Sequence, residues 1–235
     1  SVRAYVPGDS LRWIHWPTSA RHESFYVRMF EGMPAGDWWI VLDMDQRVHV
    51  GQAQHSTEEH GVILAASLAD KGLRSRRAVG LVAQGADLTW LQPRRGDTHR
   101  WEMMRMLANV SLGTYALAET LAEIGPVVEP YASLVIVTPS LDSAWVEELM
   151  LLLRRGISPT VLLLDPQSFG GNGSAEGLSG LLSDLEVQHY VITHDYLDRA
   201  ETQPGRQGRL DWYVLGTGQI VPKYPEQDMT WRELV

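Results

Sequence analysis

The stretch Trp38-Trp39-Ile40-Val41-Leu42-Asp43-Met44-Asp45-Gln46-Arg47 constrains the fold more than any other part of the chain. It begins as an apolar run without polar alternation and ends abruptly in two carboxylates. Such a run predicts a strand buried on both faces, as in a parallel sheet covered by helices. The carboxylates then fall just past the strand's carboxyl end, where open α/β sheets place their ligand sites.

The chain downstream repeats the theme. Residues 57–69 predict a helix, with Ser56 or Thr57 as its cap and Glu58 and Glu59 favourable in the first turn. Val62, Leu64, Ala65, Leu68 and Ala69 give its apolar stripe, and Gly72 is the expected stop. Residues 78–83 read as a strand that turns through Gln84-Gly85-Ala86-Asp87 into a hairpin partner at 88–91. A helical region opens at Thr98 and stops at Gly125-Pro126, with Gly113 dividing it. Its expected inward faces are Trp101, Met104, Leu107 and Ala108, then Leu117, Leu121 and Ile124. Further core strands are expected at 134–137, 160–164 and 187–193. Between them, one helix capped by Ser143 carries Val146, Leu149, Met150 and Leu153, and a short one covers 175–185. Strands alternating with helices argue for an α/β fold with a mostly parallel sheet.

The tail differs. Residues 203–208 read as a linker or long loop, 212–215 and 219–222 as a hairpin around Gly216-Thr217-Gly218, and 223–235 as a polar arm carrying Trp231. The expected organisation is one domain over 1–235, made of a collar at 1–31, an α/β core at 36–200 and a hairpin with arm at 201–235.

Composition narrows the function classes. Net charge is −9 and the pI near 5.3, which argues against a general nucleic-acid binder while leaving room for a local basic patch. Cysteine is absent, so disulfides, thiolate metal sites and thiol nucleophiles are excluded, and a reducing compartment fits. No apolar run approaches the ~20 residues that span a bilayer, and there is no signal peptide. The chain opens at Ser1 inside a dense motif, as a piece of a longer protein would.

That motif is Arg3-x-Tyr5-x-Pro7-Gly8-Asp9-x-x-Arg12-x-Ile14-x-Trp16, followed by Ser19-Ala20-Arg21 and Val27-Arg28-x-Phe30-Glu31. Its physical reading is a packed collar, with arginines stacked on tryptophans and paired to Asp9, Glu23 or Glu31. The alternative is an anion or partner site using those arginines. The motif resembles the signature of the domain-of-unknown-function 58 family. Val79-Gly80-Leu81 and the block from Gln92 to His99 resemble that family's later blocks. The resemblance implies a von Willebrand factor A-like (Rossmann-like) fold. It also implies a partnership with MoxR-type AAA+ ATPases and a membrane anchor outside this chain. Arg3, Tyr5, Gly8, Asp9, Arg12, Trp16, Arg21 and Arg47 are the interaction and family-motif residues it points to.

Von Willebrand A domains carry Asp-x-Ser-x-Ser after the first strand, a Thr on a second loop and an Asp on a third. Those oxygens suit Mg²⁺. By that resemblance Asp43 and Thr98 match, Asp45 replaces a Ser, and Arg47 replaces the last Ser. The third loop, Thr138-Pro139-Ser140, lacks the Asp, and Asp142 lies slightly beyond. A guanidinium cannot ligate Mg²⁺ but can neutralise Asp43 and Asp45, so the expectation is a vestigial site in which Arg47 stands in for the cation. No cofactor is then expected, and Mg²⁺ only if the altered site still binds metal.

Other motifs are weaker. His55 and His60 lack zincin spacing and read as surface sequence; His15 and His99 read as packed or solvated. Gly170-Gly171-Asn172-Gly173-Ser174 lacks the Lys of a phosphate loop and reads as a crossover loop. No Gly-x-Ser-x-Gly elbow occurs, and nothing fixes Ser140 and Asp142 into a hydrolase set. The resulting expectation is a non-enzymatic interaction module, in the cytoplasm or on the cytoplasmic face of a membrane, with a protein partner and no nucleic acid. The alternative is a metal-dependent hydrolase or a nucleotide-binding α/β enzyme, supported by fold-level analogy alone.

Overall fold

A computed structural model describes residues 2–4, 19–21, 25–28, 36–196, 212–214 and 220–222. The chain divides into two compact units, Ser1–Ala35 and Gly36–Val235. In the first unit, β1 (Val2–Ala4) pairs antiparallel with β2 (Tyr26–Arg28), and Arg3 lies opposite Val27. Arg21 is exposed. Tyr5, Gly8, Asp9, Arg12, Trp16 and His15 lie outside the described residues.

The second unit is built on β3 (Trp38–Leu42), whose five residues are all buried. The pleat sends Trp38, Ile40 and Leu42 to one face, and Trp39 and Val41 to the other. Each such side chain contributes about 1.5–3 kcal/mol by leaving water, so a polar substitution on either face would be costly. α1 (Thr57–Arg74) returns the chain to β4 (Val79–Gln84), which turns back as the antiparallel β5 (Leu88–Arg94). Then follow α2 (Asp97–Leu107), α3 (Leu117–Ile124), β6 (Ser133–Thr138), α4 (Ala144–Arg154), β7 (Ser158–Leu164), α5 (Glu176–Asp184) and β8 (Gln188–Ile192). The sheet runs β5-β4-β3-β6-β7-β8, parallel except for β5. α1 and α2 cover the Ile40 face; α3, α4 and α5 cover the Val41 face. This is the α/β architecture, a mostly parallel sheet flanked by helices, that the periodicities predict.

Details depart from the sequence reading for local reasons. Of the two expected caps, Ser56 caps α1, accepting from the Glu59 N–H at 3.1 Å. Gly72 does not stop the helix. A Cβ there would lie 2.7 Å from the Trp38 ring, so the glycine serves close packing. The helix ends two residues later, with Arg76 at φ +59 in the left-handed position where glycine is favoured. In α2 the buried face is His99, Met103 and Leu107. Trp101, assigned inward, is 64% exposed, two residues out of phase with that stripe. Ser143 makes no capping bond; the Asp142 carboxylate accepts the Ala144 N–H at 3.0 Å instead. Trp145, Val146, Leu149 and Leu152 form the buried stripe of α4. β8 is half-exposed because it is an edge strand with one neighbour.

β9 (Trp212–Val214) and β10 (Ile220–Pro222) pair antiparallel, as the tail hairpin requires. The linker, Gly216-Thr217-Gly218 and Trp231 lie outside the described residues. Among the described residues no helix is long and apolar enough to cross a membrane.

Candidate functional site

The strand order reverses at β3: successive strands lie on one side of it up to β5, and β6 takes up the other side. Loops leaving β3 and β6 therefore diverge and open a crevice at their carboxyl ends, the usual ligand position in such sheets. Asp43 and Asp45 sit there, 3% and 4% exposed. The Asp43 N–H extends the ladder to the Val137 carbonyl at 2.9 Å.

The two carboxylates are held differently. Asp43 Oδ2 accepts the Thr138 hydroxyl at 2.6 Å, and Oδ1 accepts the Asp45 N–H at 3.1 Å. Ser140 N–H in turn donates to Thr138 Oγ1 at 2.9 Å, which orients that hydroxyl. Burial dominates the titration of Asp43 and pushes its pKa up to about 6, against the hydrogen bonds that favour its ionised form. Asp45 instead binds Arg47 in a fork: Nε lies 2.8 and 3.0 Å from its two oxygens, and Nη2 lies 2.6 Å from Oδ2. Burial alone would raise the Asp45 carboxyl, but these bonds outweigh it and hold it below the usual carboxylate range.

The loop between α2 and α3 closes the site. Asp45 bridges to Gly113, whose N–H donates to the Met44 carbonyl at 2.9 Å. A Cβ on Gly113 would lie 2.1 Å from Gly85, so only glycine lets this loop approach the ends of β3 and β4. That approach brings the Thr114 carbonyl to Arg47 Nη2 at 3.2 Å. Below, His49 Nε2 contacts the Asp43 carbonyl at 2.9 Å, and Nδ1 contacts the Thr57 hydroxyl at 3.0 Å. A carbonyl needs a donor, which assigns the His49 proton to Nε2. Burial lowers the pKa of that ring, consistent with the neutral form.

A cavity of about 300 Å³ stands over the pair, walled by Arg47, Leu117, Ser140, Asp142 and Trp145. The buried Trp145 indole N–H has no partner among the described residues. Tyr115, beside the Thr114 carbonyl, is 46% exposed.

Several predicted site residues fall elsewhere. Thr98 is exposed at the start of α2, at the opposite end of the sheet, because β5 runs antiparallel and delivers the chain there. Arg47 engages Asp45; Asp43 is satisfied by Thr138, which sequence reasoning passed over. Its signal was a hydroxyl ending the strand that neighbours β3. His60 is not surface sequence: it is buried, in contact with the Ser56 and His194 carbonyls, and the ring of Phe169 lies edge-on to it. His55 reaches His194 at 2.9 Å. His99 is packed, with Nε2 2.8 Å from the Val79 carbonyl.

The donor set does not fit the Mg²⁺ site that the resemblance implies. Each carboxylate oxygen already accepts at least one protein hydrogen bond, and a guanidinium holds the place of a hydroxyl ligand. Among the described residues no group of three or more His, Cys, Asp or Glu is arranged to hold a metal ion.

Residues 1–168 match the family described as protein of unknown function DUF58. Uncharacterised proteins of Mycobacterium bovis and Mycobacterium tuberculosis are 32% identical over 111 residues, covering 46% of this chain and 34% of theirs. The chain thus spans about a third of the length of those curated relatives. BatB from Bacteroides thetaiotaomicron is similar in structure at 18% identity, covering 67% of this chain and 90% of that one, with TM-score 0.49. The SpRpn10 VWA domain is similar at 12% identity, covering 74% and 98%, with TM-score 0.43. An aerotolerance-related membrane protein from Bacteroides fragilis is similar at 19% identity, covering 55% and 67%, with TM-score 0.40.

Proposed function

The chain belongs to the DUF58 family, and from that premise we propose that it is a non-enzymatic interaction module that docks a protein partner over the carboxyl ends of β3 and β6. The observation that carries this reading is the Arg47–Asp45 fork. It ties up the charge of the crevice within the chain itself and leaves Arg47 on the cavity wall, with the exposed Tyr115 next in the chain to the lining Ala116. Arginine and tyrosine are the residue types that most often anchor interfaces. In this reading Arg47 stands in for a cation, and docking needs no Mg²⁺. The family resemblance makes a MoxR-type AAA+ ATPase the first partner to try, and the Arg3-to-Arg21 motif a second surface for it.

The test is a pull-down of a purified MoxR-type ATPase from the same organism, with and without ATP and EDTA. Capture that survives EDTA and is lost in R47E or Y115A is the expected result. Capture abolished by EDTA would restore the metal site. Failure to capture in every condition, together with hydrolysis of a phosphate or peptide ester by the wild-type chain, would favour an enzyme.

A further inference from the structure

The opposite end of the sheet has the reverse charge. Residues 70–77 and 92–101 carry seven Lys or Arg against two Asp, a net +5, which leaves −14 on the rest of the chain. The fold joins these two segments. Arg94 lies opposite Val79 at the start of β4, and Arg100 Nη1 reaches Asp70 at 2.9 Å from α2 to α1. Asp70 also takes Arg74, at 2.7 Å, so it is already shared by two arginines. Asp97, 92% exposed, lies 3.7 Å from Arg100. Arg76, Arg94 and Arg95 are exposed and make no ion pair among the described residues. Arg76 keeps its charge at a backbone position that glycine would fill with less strain. Trp101, in the same helix α2 as Arg100, is 64% exposed, with the Arg100 guanidinium 5.5 Å from its ring centre.

We propose that this end, formed by Arg76, Arg94, Arg95 and Trp101, docks on an anionic phospholipid surface. Six of the seven basic residues are arginine, whose planar fork suits phosphate oxygens better than a lysine ammonium does. Each Lys or Arg close to such a surface adds roughly fivefold in affinity, and Arg76, Arg94 and Arg95 offer three such charges. An isolated exposed tryptophan is the side chain that settles at the headgroup level, where its ring is sheltered and its N–H is wet. A chain of pI near 5.3 is poorly built for a nucleic-acid duplex.

The experiment is co-sedimentation of the chain with phosphatidylcholine vesicles, with and without phosphatidylglycerol, at low and high salt. Binding to the anionic vesicles that weakens with salt, and none to neutral ones, is expected. R94E/R95E is expected to lose about 100-fold or more, from roughly fivefold per surface charge. R76G separates charge from folding: it relieves the backbone, so its melting temperature stays level or rises while vesicle affinity drops about fivefold. W101A is expected to bind several-fold more weakly with the same salt dependence. Equal binding to neutral vesicles, or wild-type binding by R94E/R95E, overturns the proposal. So does preference for a duplex oligonucleotide with no effect of W101A.

Discussion

The two ends of the sheet handle charge in opposite ways. At the carboxyl end Asp43 and Asp45 are buried and every carboxylate oxygen accepts a hydrogen bond. At the amino end Arg76, Arg94 and Arg95 are exposed and have no carboxylate partner among the described residues. The difference follows from topology. At the switch point the loops diverge, a crevice forms, and the α2–α3 loop folds over it, so charge there loses solvent and must be paired. At the other end the connections into β4 and out of β5 are short and leave long side chains pointing outward. A buried carboxylate needs an internal partner; an exposed guanidinium is free for an external one.

The two tryptophans give the largest contrast. W145A at the carboxyl end removes a 2%-exposed ring from the core and is expected to cost about 3–5 kcal/mol in urea unfolding. W101A at the amino end should stay within about 0.5 kcal/mol. Equal losses would erase the contrast.

Asp43 comes next. Its pKa is raised in the folded state, so the fold holds the proton more tightly than the unfolded chain does. Stability should therefore fall as pH rises from the usual value of 3.8 through about 6. The ionisation costs about 3 kcal/mol above that range. D43N should flatten the profile and stabilise the protein at neutral pH. A wild-type profile already flat there would mean that Asp43 is not desolvated. Asp45 has the opposite sign: its contribution is lost only as pH falls through its lowered folded pKa.

A smaller effect tests the stand-in cation. Removing the guanidinium by R47S restores a hydroxyl, and calorimetry should then detect Mg²⁺ binding at least about tenfold tighter than in the wild type. Tight wild-type binding lost on D43A would refute the role given to Arg47. Smallest of all, R95A should leave the melting curve unchanged, since that exposed side chain makes no hydrogen bond or ion pair among the described residues.

Much of this was legible in the chain. The apolar run at β3, the α1 cap at Ser56, the β4–β5 hairpin and the break at Gly113 follow from local periodicity and turn chemistry, which act over a few residues. Site assembly was less legible. Thr98 matches the second-loop Thr only by the family resemblance, and the antiparallel β5 delivers it to the opposite end of the sheet. Thr138 was missed because nothing local says that β6 lies beside β3. Trp101 was placed inward because a 3.6-residue period read without its neighbours tolerates the wrong phase.

By itself, then, the sequence determined the elements, their buried or half-buried character, the α/β class and the position of two carboxylates at a strand end. These depend on contacts between near neighbours and on the apolar surface each segment must bury. Only the tertiary structure decided that Thr138 holds Asp43 and that two basic segments meet at one end. Those outcomes depend on strand order and direction, which bring together residues up to 95 positions apart and leave no local trace in the chain.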